Sequence, residues 1–142
     1  SELDAVKKFL VSNGLSYRMV EYGTYGEDGF KQLVNSAKFC FLINGTESQG
    51  IAVQEIMSMG VPIIAWDVKE WLDQGDEYRV PATSVPYWDD RCGEKFYSID
   101  KLEETFDNFY ARINEYSPKD FIRDNLSFKV TVNKLLEIFN VN

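Results

Sequence analysis

Two glutamates, Glu47 and Glu55, flank a polar turn near the middle of the chain and have the residue type and spacing that could do chemistry. An apolar run at 39–43 ends just before the turn, 44–50, and a helical pattern follows that carries Glu55. A helix N-terminus presents unpaired N–H groups and a partial positive charge, and Gly50 lets a ligand approach the backbone closely. The pattern therefore predicts a site for a phosphorylated ligand.

The spacing of the two glutamates fits a sugar joined to a nucleoside through a diphosphate. Glu55 lies seven residues beyond Ser48, which at 1.5 Å per helical residue is about 10 Å from the predicted helix start. Carboxylates at the two ends of such a ligand accept hydrogen bonds from vicinal hydroxyls. Spacing alone leaves a simpler interpretation open, in which Ser48 is an N-cap, Glu47 a partner of the helix dipole and Glu55 a solvated surface residue.

Composition narrows the classes of partner. The chain has 142 residues, 44% of them hydrophobic, which suffices for one domain with a sizeable core. Its net charge of −8 and the lack of a basic run argue against nucleic acid or an anionic membrane surface as a partner. No apolar stretch approaches the roughly 18 residues of a membrane span, and no signal peptide is recognisable at the start. We expect a soluble, cytoplasmic protein.

The reactive side chains that remain are few. The sequence contains no histidine, and its two cysteines, Cys40 and Cys92, show neither metal-ligand spacing nor a disulfide framework. We therefore expect no metal and no other cofactor. Any chemistry would depend on carboxylates, backbone dipoles or a partner.

The elements that position the turn are predicted to alternate. Apolar spacing predicts helices at 3–15, 27–37 and 48–60, and strands at 17–22, 39–43 and 61–66. In the third helix, Ile51, Ala52, Ile56 and Met59 are expected on one face, while the strand 39–43 is apolar on both faces. This alternation is typical of a doubly wound parallel sheet, in which ligands bind beyond the carboxyl ends of the strands.

The second half of the chain is less regular at first and then helical. Gly75, Pro81 and Pro86 interrupt the aromatic-rich segment 67–91, which predicts either a rim loop or a short helix plus loop. A short edge strand is predicted at 93–98. From residue 100 onward, helical spacing resumes, with a short helix starting at Ser117-Pro118 and another at 127–139.

The run 47–65 resembles the signature of the group 1 retaining glycosyltransferases of the GT-B fold. That signature is Glu, seven residues, Glu, then Met-x-x-Gly-x-Pro-x-Ile-Ala, and here it reads from Glu47 through Glu55 to Ala65 with Gly50 in register. The upstream Val20-Glu21-Tyr22-Gly23 resembles the strand and glycine that precede it in the family. The resemblance covers nearly the whole chain, with motif-grade detail at 20–65.

The resemblance implies a fold and a set of roles. It implies one α/β domain, 1–142, with a three-layer Rossmann-like parallel sheet and a helical tail at 100–142, equivalent to most of the C-terminal donor-binding half of the enzyme. Glu47 would be the catalytic residue that binds the hydroxyls of the donor sugar, and Glu55 would bind the ribose. The donor phosphates would lie at Ser48, Gln49, Gly50 and Ile51, and the base near Gly23, Thr24 and Tyr25. Catalysis in the family needs no metal.

Departures from the family pattern limit the expected activity. The Arg and Lys that the family supplies for the diphosphate, and its N-terminal acceptor domain, lie outside this sequence, and residues 66–70 replace a Gly-Gly turn and a Glu. We therefore expect a hexosyltransferase fragment that binds a nucleotide sugar weakly and is inactive without a missing or separate acceptor domain.

Two other functions stay open. One is a non-catalytic interaction module with a glycosyltransferase-like fold, which would dock a partner through the aromatic residues between Trp66 and Trp88. The other is a flavodoxin-like or receiver-like regulatory domain, although residues 44–46 lack its acidic phospho-acceptor cluster.

Overall fold

A computed structural model of the chain describes residues 1–72 and 78–140. Its helices are α1 (Glu2–Ser12), α2 (Glu27–Ser36), α3 (Ile51–Ser58), α4 (Leu102–Ala111), α5 (Pro118–Leu126) and α6 (Phe128–Ile138), with a 3₁₀ turn at Ile99–Lys101. Its strands are β1 (Cys40–Ile43), β2 (Ile63–Trp66), β3 (Glu70–Leu72), β4 (Arg79–Pro81) and β5 (Gly93–Phe96). In this part of the chain, no helix has both the length and the apolar character needed to cross a bilayer.

The main sheet is parallel and has the strand order β1-β2-β5. Ile64 in the central strand lies opposite Phe41 on one side and Glu94 on the other. Every residue of β2 is buried, as the apolar sequence of this strand predicts. The predicted parallel sheet is therefore confirmed, and β5 is the predicted edge strand.

Helices cover both faces of this sheet because successive side chains of β2 point in opposite directions. Ile63 and Ala65 pack into one core cluster, to which α2, α3 and α5 contribute buried residues. Ile64 and Trp66 pack into a second cluster with α1 and α4. The architecture is thus a mixed α/β fold in three layers, compatible with a Rossmann-like domain.

β1 is covered on both faces but remains half-buried. Cys40 and Leu42 pack against the first cluster, and Phe41 and Ile43 pack against the second. The prediction from its apolar sequence is confirmed in this respect. The four residues are nevertheless only partly buried because, within the described chain, β1 has a neighbouring strand on one side only.

The predicted strand at 17–22 is wrong. All six residues are exposed, and they form neither strand nor bridge with any part of the chain that the structure describes. Alternating side chains specify a strand only where a neighbouring strand accepts the backbone hydrogen bonds. The free edge of β1 could accept a strand, but residues 17–22 do not pair with it.

Within its described residues, the segment 67–91 is only partly the predicted rim loop, since 82–91 are irregular but two short strands precede them. β3 and β4 pair as a short antiparallel ladder in which Trp71 lies opposite Val80. The turn signal at Gly75 lies outside the described residues.

The helical tail is confirmed over α4, α5 and α6, apart from residues 141–142, which lie outside the described residues. Pro118 occupies the first position of α5, where its missing N–H leaves no hydrogen bond unmade.

Candidate functional site

The turn 44–50 lies where the sequence places it, between the carboxyl end of β1 and the start of α3, but the helix begins later than predicted. Its N-cap is Gly50, and Ser48 is not part of the helix. Gly50 has φ 63°, a left-handed conformation that glycine adopts without a Cβ penalty. Glu55 therefore lies four residues after Ile51, about 6 Å along the axis, and the predicted 10 Å from a helix start at Ser48 is wrong.

The faces of α3 also differ from the prediction. The helix buries Val53, Ile56 and Met57, whereas Ile51 is 68% exposed. At 100° per residue, Ile51 lies opposite the centre of that buried face. Glu55 is exposed and shares the outer face with Ile51, because residues four apart are neighbours on a helix. The outer face of α3 thus presents one apolar side chain and one carboxylate.

Glu47 is held from two directions. Its carboxylate accepts a hydrogen bond from Asn44 Nδ2 at 2.7 Å, and its backbone N–H donates to the carbonyl of Thr83 at 2.9 Å. The residue is half-buried, in contrast to its exposed neighbours Ser48 and Gln49. Its carboxylate therefore has a fixed place at the carboxyl edge of the sheet.

The first turn of α3 has no side-chain cap, and its first residue Ile51 is exposed, while the N-cap Gly50 is buried beside Pro86. Gly50 makes no side-chain hydrogen bond to the first turn, so no described side chain caps the helix. The preceding turn is bonded to α3 through Gln54, whose side chain donates to the carbonyl of Gln49 at 2.6 Å. Backbone N–H groups and the helix dipole are left facing the edge of the sheet, where an anion is stabilised.

The turn at residues 23–25 leads directly into α2. Tyr25 stacks on Phe30 of α2, with ring centroids 4.9 Å apart. One turn further, the hydrogen bond and charge of Glu27 raise the pKa of Lys31, and the charge of Glu55 acts in the same direction. Lys31, on the helix that follows the predicted base-binding turn, is thus within electrostatic range of the predicted ribose-binding residue.

A loop that the sequence did not predict as part of the site lies against the turn 44–50. We call residues 83–88 the 83–88 loop. Besides the bond from Glu47 to Thr83, Tyr87 Oη lies 3.3 Å from Gln49 Oε1 as a hydrogen-bond donor. A Cβ atom placed on Gly50 would lie 3.4 Å from Pro86 Cδ. The loop thus touches the turn at three separate residues.

The 83–88 loop is anchored by Asp67, which follows β2 directly and is only 3% exposed. Its Oδ1 accepts hydrogen bonds from Thr83 Oγ1 at 2.7 Å, from Ser84 N at 2.7 Å and Oγ at 2.9 Å, and from Val68 N at 2.9 Å. Lys95 Nζ lies 3.3 Å from Oδ2.

The Asp67 carboxylate is stabilised in its charged form. Burial by itself raises the pKa of Asp67, but the hydrogen bonds from Ser84, Thr83 and Val68 outweigh it and hold the pKa below its ordinary value. The sequence signal for these contacts is a charged residue directly after an apolar strand, because a buried charge needs hydrogen-bond or ionic partners. We call Asp67, Thr83, Ser84 and Lys95 the Asp67 network.

A cleft of about 450 Å³ opens between β5 and α4 and contains none of the predicted site residues. It is lined by three lysines, each already engaged. Lys95 pairs with Asp67, Lys101 pairs with Glu104 at 2.9 Å, and Lys69 lies 4.7 Å above the ring of Tyr97. Lys95 connects the cleft to the Asp67 network, and the carbonyl of Lys69 accepts the backbone N–H of Ala82, just before the 83–88 loop.

The aromatic residues between 66 and 88 divide by burial. Trp66 packs into the second core cluster, and Tyr87 and Trp88 pack against the first. Trp71 is exposed on β3, and Tyr78 is exposed just before β4. Within residues 1–72 and 78–140, no group of three or more His, Cys, Asp or Glu side chains is arranged to hold a metal ion.

Comparisons of the chain with protein-family models, with curated proteins and with solved structures found no match. Its function has to be inferred from the turn 44–50, the start of α3 and the residues that hold them in place.

Proposed function

We propose that the chain is the donor-binding half of a retaining glycosyltransferase of the GT-B fold, and that it binds a nucleoside diphosphate sugar. One observation carries the proposal. An uncapped helix start at the carboxyl edge of a parallel sheet has one carboxylate, Glu47, in the turn before it and another, Glu55, on the exposed face of its second turn. This arrangement supplies contacts for both ends of the ligand and for the charge between them.

The diphosphate would bind at the first turn of α3. Its N–H groups carry a partial positive charge of about +0.5 and have no side-chain cap. Gly50 has no side chain there, and its backbone is buried beside Pro86. In the proposed transfer of a hexose, the same dipole would stabilise the charge that develops on the leaving diphosphate.

The two carboxylates would bind the hydroxyl groups at either end. Glu47 is half-buried and already oriented by Asn44, as a contact that fixes a sugar requires. Glu55 is exposed beside Ile51 and open to a ribose lying along α3. The base would then extend towards residues 23–25, where Tyr25 is supported by Phe30.

Transfer itself would need more than these residues. Without a metal, the diphosphate is usually neutralised by basic side chains, and the three lysines of the cleft beside β5 are engaged with other groups. We therefore expect weak donor binding by this chain alone and efficient transfer to its unidentified acceptor only in the presence of an acceptor-binding domain. Efficient transfer by the isolated chain would contradict this part of the proposal.

Ligand binding can be tested by thermal shift and calorimetry with uridine, guanosine and adenosine diphosphates and their glucose conjugates. We expect one nucleotide series to raise Tm, with about 2.7 kcal/mol of stabilisation at a ligand concentration of about 100 Kd. Glu55→Ala should weaken binding by about tenfold, equivalent to about 1.4 kcal/mol. Glu137→Ala, which removes another exposed helical carboxylate on α6, should leave binding unchanged.

The alternative, an interaction module with the same fold, is favoured by the exposed Trp71, 45% accessible, and Val80 opposite it on the β3–β4 pair. The same titrations separate the two functions. Absence of stabilisation by every nucleotide, together with identical Tm profiles of Glu55→Ala and wild type in all ligands, would favour the interaction module.

A further inference from the structure

We propose that Asp67 is a positioning residue that fixes Glu47 through the 83–88 loop. Recognition of the sugar then depends on the carboxylate of Asp67, although this carboxylate does not contact the sugar. The identity of the ligand at Glu47 rests on the proposed function. The structural connection between Asp67 and Glu47 rests only on hydrogen bonds. The two can therefore be tested separately.

Asp67 is well suited to hold a loop in place. Its backbone N–H donates to the carbonyl of Phe96 at 2.8 Å, which ties it to the end of the sheet between β2 and β5. Its side chain is 1% exposed, and its one carboxylate accepts from the hydroxyl of Thr83 and from both donors of Ser84. Ser84 is itself fully buried. The start of the loop is thus fixed to the sheet rather than to solvent.

Thr83 connects Asp67 to Glu47. Its hydroxyl donates to Asp67 at 2.7 Å, while its carbonyl accepts the backbone N–H of Glu47 at 2.9 Å. The hydroxyl also accepts from Val85 N at 3.1 Å, so its rotamer is fixed on both sides. Two hydrogen bonds through one residue therefore join a buried carboxylate in the sheet to the backbone of the predicted sugar-binding glutamate.

The start of α3 depends less on this anchor, although Pro86 of the loop lies beside Gly50. The helix is held by its buried residues Val53, Ile56 and Met57, which belong to the first core cluster. Loosening the 83–88 loop should therefore displace Glu47 while the N–H groups that face the phosphates keep their position. Sugar recognition and phosphate recognition are expected to respond differently to the same substitution.

The link is tested first without a ligand, by hydrogen exchange of backbone amides in Asp67→Asn and Thr83→Val. Thr83→Val removes the hydroxyl but keeps the carbonyl, and it serves alone if Asp67→Asn does not fold. In both variants, we expect the Glu47 amide to exchange about tenfold faster relative to the amide of Gln54, which bonds to Gly50 within α3. Equal acceleration at the two amides, or none at Glu47, would overturn the proposal.

Tyr116→Phe is the matched control. It removes a partly buried hydrogen bond to Glu94 on the α4 side of the sheet and does not touch the loop. It should change the exchange of the Glu47 and Gln54 amides by the same factor, because it acts only through overall stability.

The second measurement uses calorimetry with a nucleoside diphosphate and the corresponding nucleoside diphosphate glucose. In Thr83→Val, we expect Kd for the glucose conjugate to rise about tenfold while Kd for the diphosphate stays within about twofold. A parallel rise in both would overturn the role of Asp67 in sugar recognition. If wild type binds neither ligand, the proposed function fails, and the exchange data still decide whether Asp67 positions Glu47.

Discussion

The turn 44–50 and the Asp67 network lie in contact but are built differently. The side chains of the turn are mostly exposed, and most of its side-chain hydrogen bonds join residues no more than five apart, with the bond from Tyr87 to Gln49 as an exception. Asp67 and Ser84 in the Asp67 network are buried, Thr83 and Lys95 are half-buried, and its hydrogen bonds to Asp67 come from residues 16 and 17 positions away. One region is open to a ligand, and the other fixes the shape of the first.

This difference distinguishes exposed residues that could contact a ligand from buried residues that hold the site in place. Removing an exposed polar side chain costs little, because water replaces its partners. Removing a buried acceptor leaves several donors without a partner and costs much more. Substitutions in the Asp67 network should therefore change stability as well as the position of Glu47, whereas substitutions of the exposed side chains in the turn should change ligand binding with little effect on stability.

The largest effect is expected for Asp67→Ala. The substitution leaves the Lys95 ammonium and the donors of Thr83 and Ser84 without their acceptor, which should lower the free energy of unfolding by about 3 kcal/mol. Urea denaturation at neutral pH measures the loss. Ser48→Ala in the exposed turn should change it by less than about 0.5 kcal/mol. A loss below about 1 kcal/mol for Asp67→Ala would erase the contrast between the regions.

The pH dependence of stability is the next test. The hydrogen bonds of Asp67 outweigh its burial and keep its pKa in the folded protein below the ordinary value. Its carboxylate therefore contributes stability above the unfolded-state pKa of about 4, and this contribution is lost as the pH falls through the lower folded-state pKa. Asn at this position cannot titrate. Wild type should exceed Asp67→Asn by about 2 kcal/mol at pH 7.

That difference should shrink as the pH is lowered below about 4. Measuring the free energy of unfolding of both proteins from pH 7 to acidic pH isolates the contribution of Asp67. The carboxylates of Asp89 and Asp124, whose pKa values are also lowered by Arg91 and Arg123, are present in both proteins and cancel in the difference. A constant difference from pH 7 to the acid limb would show that the charge of Asp67 contributes nothing.

The sequence predicts the regular parts of this fold because apolar residues recur with the period of each element. Helices α1, α2 and α4 to α6 and strands β1, β2 and β5 follow such patterns and are confirmed. The segment 17–22 shows how this reasoning fails, since alternation describes side chains and says nothing about the partner strand. The location of the turn 44–50 after β1 is confirmed as well, whereas the roles of its residues stay predictions.

The Asp67 network could not be predicted in the same way. Asp67, Thr83 and Ser84 come together because the chain returns to the end of β2 after the β3–β4 pair, and no periodicity marks that return. The start of α3 was placed too early for a related reason. Ser48 is a good N-cap residue by type, but the left-handed Gly50 ends the turn two residues later.

A smaller effect is expected for Gly50→Ala, which tests the turn at its one constrained backbone position. At φ 63°, an alanine should cost about 1 kcal/mol, with a Cβ contact of 3.4 Å to Pro86 that needs little adjustment. Gly29→Ala in α2 has open space around it and should instead stabilise by about 0.5 kcal/mol. Chemical denaturation of both variants gives the comparison. Stabilisation by Gly50→Ala would contradict the left-handed start of α3.

The smallest change in stability is expected for Glu47→Gln. The amide oxygen of Gln still accepts from Asn44, and the backbone bond to Thr83 is kept, so the free energy of unfolding should change by less than about 0.5 kcal/mol. Loss of the negative charge should nevertheless weaken binding of a nucleoside diphosphate sugar by about tenfold, because a charged acceptor makes the stronger hydrogen bonds to hydroxyls. Calorimetry and denaturation on one preparation measure both. A large stability loss would place Glu47 with the Asp67 network as a structural residue, and unchanged binding would remove it from the site.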